Sequence, residues 1–158
     1  MNPVFIVIFI FLAVFGSVYM LKPSIRDQRL AKLRLDAIKL GLQVKLDKFK
    51  ADSKKTGVRD DIVAARYLRF DADVKSQEFR WCVVRQAGWD TEGLPEGWSW
   101  HGNVNAPETS VLFHFLEQLS DDIVVVEVYD NRTCLMTTEG KATSVDMINQ
   151  WIDQAKQL

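Results

Sequence analysis

The chain has 158 residues, 47% of them hydrophobic and 26% charged, with a formal net charge of −1. That length supports one domain with a real core, and the composition excludes a disordered chain, a collagen-like repeat and a disulfide-stapled miniprotein. The averages conceal two unlike parts.

From Pro3 to Leu21 no side chain is charged, and nearly every residue is Val, Ile, Leu, Phe, Ala or Met. At about 1.5 Å rise per residue such a run spans roughly 28 Å as a helix, close to the hydrocarbon thickness of a bilayer. Tyr19 stands near one end, where interfacial aromatics are common. The expectation is an uncleaved transmembrane anchor over residues 1–22, entering the bilayer through residues 3–21. A signal peptide would need a positive segment before the apolar run, and only Met1 and Asn2 precede Pro3.

The flanks set an expected orientation. Lys22, Arg26, Arg29, Lys32 and Arg34 follow the apolar run closely, and basic residues beside a span favour the cytoplasmic side. The reading is therefore a single-pass inner-membrane protein with its N-terminus outside. Residues 22–59 carry twelve Lys and Arg against four Asp, whereas residues 60–158 carry eight against seventeen acidic residues. The basic stretch suits an anionic lipid surface, with Lys22, Arg26, Arg29 and Lys32 as the membrane-surface residues. Nucleic acid is not an expected partner, because the basic residues are not interleaved with stacking aromatics.

Residues 23–41 read as a basic helix beside the membrane, with Ser24 as N-cap and Gly41 as its stop. Helical spacing gives one apolar row of Leu30, Leu33, Ala37 and Leu40 and another of Ala31, Leu35 and Ile38. The second row packs either on its own domain or on a partner helix.

Residues 42–158 read as an α+β domain. Leu42 to Asp47 alternates apolar and polar residues, as a half-buried strand does. A polar loop over 51–61 follows, then Ile62 to Phe70, which fits strand or helix with a strand over Ala64–Phe70 preferred, and an aromatic and β-branched strand over Phe79–Arg85. Gln86 to Pro107 reads as a long irregular connection punctuated by Gly and Pro. Thr109 or Ser110 opens a helix through Leu119, and Ile123–Tyr129 and Thr133–Thr137 form a hairpin about Asp130-Asn131. Thr143 or Ser144 caps a final helix to about Lys156, with Val145, Ile148, Trp151, Ile152 and Ala155 on one face. The fold class expected is thus α+β, an N-terminal transmembrane helix followed by a small antiparallel sheet with helices packed on one face.

Candidate chemistry is sparse. Cys82 and Cys134 lie in apolar strands and read as buried thiols, or as one disulfide if the domain were exported. No paired Cys or His spacing suggests a metal ligand set, and no nucleophile elbow or phosphate loop is present, so no catalytic, cofactor or metal site is expected. The doublets Asp60-Asp61 and Asp121-Asp122 fall at element boundaries and read as turns. The segment from Trp89 to Gly102 stands out, with three tryptophans and a histidine in one loop. Trp89, Trp98, Trp100 and His101 are the partner-binding candidates, since Trp is enriched in interfaces. The competing reading folds these rings back over the sheet to extend the core, and the two are compatible.

The opening, an apolar run followed by Lys22-Pro23-Ser24-Ile25-Arg26-Asp27-Gln28-Arg29-Leu30-Ala31 and ending at Leu40-Gly41-Leu42-Gln43-Val44, resembles uncharacterised single-pass inner-membrane proteins of Gram-negative bacteria. Its layout is also similar to the small YajC-type accessory subunit of the preprotein translocase, over about the first forty-five residues. The acidic domain and its Trp loop depart from that subunit, and no functional residue carries over.

The function expected is that of a non-enzymatic accessory, scaffold or assembly subunit of an inner-membrane complex, meeting a membrane-protein partner. The alternatives are a ligand-binding or enzymatic cleft near Trp89–His101, and an exported domain of reversed topology.

Overall fold

The computed structural model describes residues 3–16 and 22–158 in full and the backbone of 17–20. The chain divides into two compact units, Met1–Lys32 and Leu33–Leu158. The first holds α1 (Pro3–Met20) and the start of α2 (Ile25–Lys39). Ser24 caps α2 in both directions, its hydroxyl accepting from the Asp27 N–H at 3.1 Å and donating to the Asp27 carboxylate at 2.7 Å.

Among the described residues no helix is long and apolar enough to cross a membrane. The fully described part of α1, Pro3 to Gly16, rises only about 21 Å against a hydrocarbon core of about 30 Å. The transmembrane anchor expected over residues 1–22 is corrected accordingly, and with it the single-pass inner-membrane localisation and the transmembrane part of the fold class. The expectations placed on Met1, Asn2, Leu21 and the Tyr19 side chain lie outside the described residues.

The second unit is α+β. Its strands are β1 (Gln43–Phe49), β2 (Ile62–Phe70), β3 (Phe79–Val84), β4 (Ser99–Asn103), β5 (Ile123–Tyr129) and β6 (Arg132–Thr137), with α3 (Thr109–Gln118) and α4 (Val145–Gln157) between and after them. They form one six-stranded sheet in the order β1-β2-β6-β5-β3-β4, antiparallel at every junction. The hairpin about Asp130-Asn131 closes with Tyr129 opposite Arg132.

Alternation sorts the strand residues onto two faces. One cross-strand row runs through all six strands as Val44–Tyr67–Leu135–Val126–Val83–Trp100. These residues join Ala37 of α2, Leu112, Phe115 and Leu116 of α3, and Ile148, Trp151, Ile152 and Ala155 of α4 in the main core. The opposite face carries a smaller cluster of Phe49, Val58, Ala64, Cys82, Val84, Val125 and Met136. Burial on both faces explains why β3 reads as an unbroken apolar run from Trp81 to Val84 rather than an alternating one.

The α2–β1 connection is a Schellman turn. The Leu42 N–H reaches the Ala37 carbonyl at 3.1 Å and the Gly41 N–H reaches Ile38 at 3.0 Å, with Gly41 at φ +80. Only a residue without Cβ adopts that conformation cheaply, so the stop expected at Gly41 has its physical cause here. At the other end of the sequence, the Ser144 hydroxyl accepts from the Met147 N–H at 3.3 Å and caps α4.

A buried carboxylate ties α2 to the sheet. Glu139, 4% exposed and at φ +56, accepts from the Tyr67 hydroxyl at 2.6 Å and from Arg34 Nε at 2.8 Å, and Arg34 Nη2 completes the fork. Burial, and then Glu139, push the Tyr67 hydroxyl well above its ordinary range, so it stays protonated as a donor.

Candidate functional site

The segment from Gln86 to Pro107 is ordered by hydrogen bonds to its own backbone and to its neighbours. The Trp98 N–H donates to the Pro95 carbonyl at 3.1 Å, the Trp100 N–H to Asp90 at 2.8 Å, and the Trp100 indole to the Glu92 carbonyl at 3.1 Å. Part of what reads as irregular connection is strand β4, paired to β3 through a bulge between Cys82 and Val83.

The partner-binding candidates separate. Trp98 and Trp100 are 3% and 9% exposed and belong to the main core. The Arg85 guanidinium lies 4.8 Å from the centre of the Trp98 ring and donates to the Leu119 and Ser120 carbonyls at 3.4 and 3.2 Å. Trp98 is thereby coupled to the residues just after α3, where the Ser120 carbonyl also accepts from the Ile123 N–H at 3.0 Å. His101 is half-buried, its ring edge-on to Phe49 at 4.6 Å. Burial holds its pKa below the ordinary 6.5, so the imidazole is neutral near pH 7.

Trp89 faces outward, 72% exposed. Its backbone N–H donates to the Thr56 carbonyl at 2.8 Å, and its ring lies over Gly57, where a Cβ would come within 2.5 Å of the indole. Gln86 strengthens this junction by donating to the Asp60 carbonyl at 2.7 Å and accepting from the Asp60 N–H at 3.2 Å. The loop over 51–61 and the Trp segment are thus laced together, and the indole stands on a fixed platform. The adjoining depression is lined by Asp90, Glu92, Trp100, Val104, Ala106 and Thr109, with Val104 75% exposed.

On the smaller-cluster face of the sheet, Cys82, Glu127 and Cys134 stand in one cross-strand row. Two strand spacings separate the thiols, about 10 Å, beyond the roughly 7 Å that a disulfide tolerates. Both cysteines are free and buried, so the disulfide considered for an exported domain does not fit this fold. Burial, and then the Glu127 carboxylate, push Cys134 up to about 12 and Cys82 well above its ordinary 9.0. Glu127 is itself engaged, accepting from the Tyr129 hydroxyl at 2.8 Å and facing Arg66 at 3.6 Å.

Two predictions follow from these thiols. For Cys134, moving from 9.0 to about 12 leaves roughly a thousandfold less thiolate, and Cys82 shifts in the same direction. Alkylation of either cysteine in the folded chain near neutral pH is expected to be at least about a hundredfold slower than in urea. Native mass spectra showing rapid labelling of Cys82 or Cys134 would contradict the assignment. The second concerns stability. In the unfolded chain thiols and phenols lose protons near pH 9 to 10, but in the folded chain burial raises Cys134 and Tyr129 to about 12. The folded state therefore binds these protons more tightly. Stability is fully present below about pH 9 and falls as pH rises from about 9 to 12. Urea midpoints taken across that interval should decline, and a flat profile would refute the linkage.

Among the described residues no group of three or more His, Cys, Asp or Glu is arranged to hold a metal ion. Lys22, Arg26 and Lys32 are exposed and Arg29 is intermediate. With no membrane-crossing helix beside them among the described residues, they form a basic stretch of the first unit. No protein family, curated protein or solved structure matches the chain.

Proposed function

We propose that the chain is a non-enzymatic interaction protein, an accessory or assembly subunit that engages a protein partner through Trp89. The observation that carries this reading is a tryptophan 72% exposed yet held in place by the Thr56 carbonyl and the Gly57 platform. A large, pre-ordered aromatic ring loses little entropy on binding and is a frequent centre of binding energy. Asp90 and Glu92 follow it in a region of net negative charge, which favours a partner presenting basic side chains around an apolar spot.

Several groups that would otherwise suit catalysis have structural roles. The thiols are buried and protonated, His101 packs on Phe49, and Glu139 holds Tyr67 and Arg34. Trp98 and Trp100 turn into the main core, which leaves Trp89 as the outward ring of the segment.

Trp89→Ala should abolish recovery of the specific partner while leaving the thermal midpoint unchanged, because the ring is largely outside the core. Gly57→Ala should weaken recovery too, and cost about 1 kcal/mol, since φ +75 disfavours a side chain and the new Cβ displaces the indole. An identical set of co-purified proteins from the Trp89→Ala and unsubstituted chains would refute the proposal.

A further inference from the structure

β1 is one edge of the sheet, and among the described residues no strand lies on its outer side. The Lys48 N–H donates to the carboxylate of Asp47 at 2.8 Å rather than to β2. Alternate residues of a strand turn their backbone groups the same way, so the N–H and C=O groups of Val44, Leu46 and Lys48 line the outer edge. Lys45 is 71% and Lys48 55% exposed along it, and Leu46 is 63% exposed.

We propose that the chain pairs with a second copy of itself along β1, antiparallel, with the two-fold axis at Leu46. In that register Leu46 meets Leu46 of the second copy, and Val44 meets Lys48 in each direction. The free outward backbone groups then form about four hydrogen bonds, and about two more form where the Lys48 N–H leaves the Asp47 carboxylate for the second copy. Lys45 falls directly opposite Asp47 of the second copy, twice by symmetry, at a non-hydrogen-bonded position where side chains approach most closely.

The charges also select the register. Sliding either copy by two residues sets Lys45 against Lys45, or Asp47 against Asp47. Sliding by one residue sends the outward backbone groups out of phase and reverses the faces. The strand is therefore complementary to itself in one antiparallel alignment, as an isologous interface requires. On the helix-covered side the pairing shields Leu46, next to Val63, which is 72% exposed on β2. The contact is a continuous sheet across two copies, and it does not depend on the role assigned to Trp89.

The test uses the full chain. Leu46→Cys places two thiols at the axis, about 5.5 Å apart between Cα atoms, within reach of a disulfide. The native cysteines are buried and do not compete. Mild oxidation is expected to give a covalent dimer, and Lys48→Cys, whose Cα atoms would lie about 14 Å apart, at least about tenfold less. Sedimentation of the unsubstituted chain gives a reading that needs no cysteine. A dimer should weaken about tenfold on Lys45→Asp, which sets Asp against Asp, and recover in the exchange Lys45→Asp/Asp47→Lys. A monomer, a dimer indifferent to these charges, or equal cross-linking at positions 46 and 48 would overturn the proposal.

Discussion

Replacing Trp98 by Ala is expected to lower the unfolding free energy by about 3–5 kcal/mol, the range for deleting a large aromatic from a packed core. The ring is 3% exposed and packs within the main core. Its removal also leaves the Arg85 guanidinium facing a void, and that group anchors the Leu119 and Ser120 carbonyls at the end of α3. Loss of the tryptophan therefore reaches a helix that it precedes by eleven residues at its nearest. Trp98→Phe should retain most of the area and cost about 1–2 kcal/mol. Urea unfolding with an unchanged slope would measure both, and a Trp98→Ala midpoint equal to that of the unsubstituted chain would remove Trp98 from the core.

Glu139→Ala is expected to cost about 3 kcal/mol. The substitution leaves the fully buried Tyr67 hydroxyl without its acceptor and Arg34 without its counter-charge, and an unpaired buried group costs more than the pair contributed. Arg34 is 31% exposed, so water recovers part of its loss and the Tyr67 hydroxyl carries the larger share. Combining Glu139→Ala with Tyr67→Phe removes both partners and should restore about 1 kcal/mol. If the double variant is instead less stable than Glu139→Ala alone, the hydroxyl is satisfied elsewhere and the buried fork is not the tie between α2 and the sheet.

Much of the second unit is legible locally. The Ile123–Tyr129 strand, the Asp130-Asn131 turn, the Ser144 cap and the Gly41 stop each depend on residues within one or two turns of chain, where alternation and capping chemistry act. β4 is different. Ser-Trp-His-Gly-Asn has no β-branched residue and a glycine within it, and it is a strand because β3 supplies a bulged edge for it. Glu139 gives no local signal either, since its partners lie 72 and 105 residues away. Trp89, Trp98 and Trp100 are equivalent as sequence, and only the hydrogen bonds that fold the segment separate one outward ring from two inward ones. The apolar character of the N-terminal run is legible in composition alone. Among the described residues, no helix is long and apolar enough to cross a membrane.

The most direct measurement of the interaction role is oxidative footprinting of the tryptophans in cells and in the purified chain. Trp89 should oxidise readily when purified and be protected several-fold in its native assembly, while Trp81, Trp98 and Trp151 stay protected in both. Equal oxidation of Trp89 in the two settings would contradict its place in a partner interface.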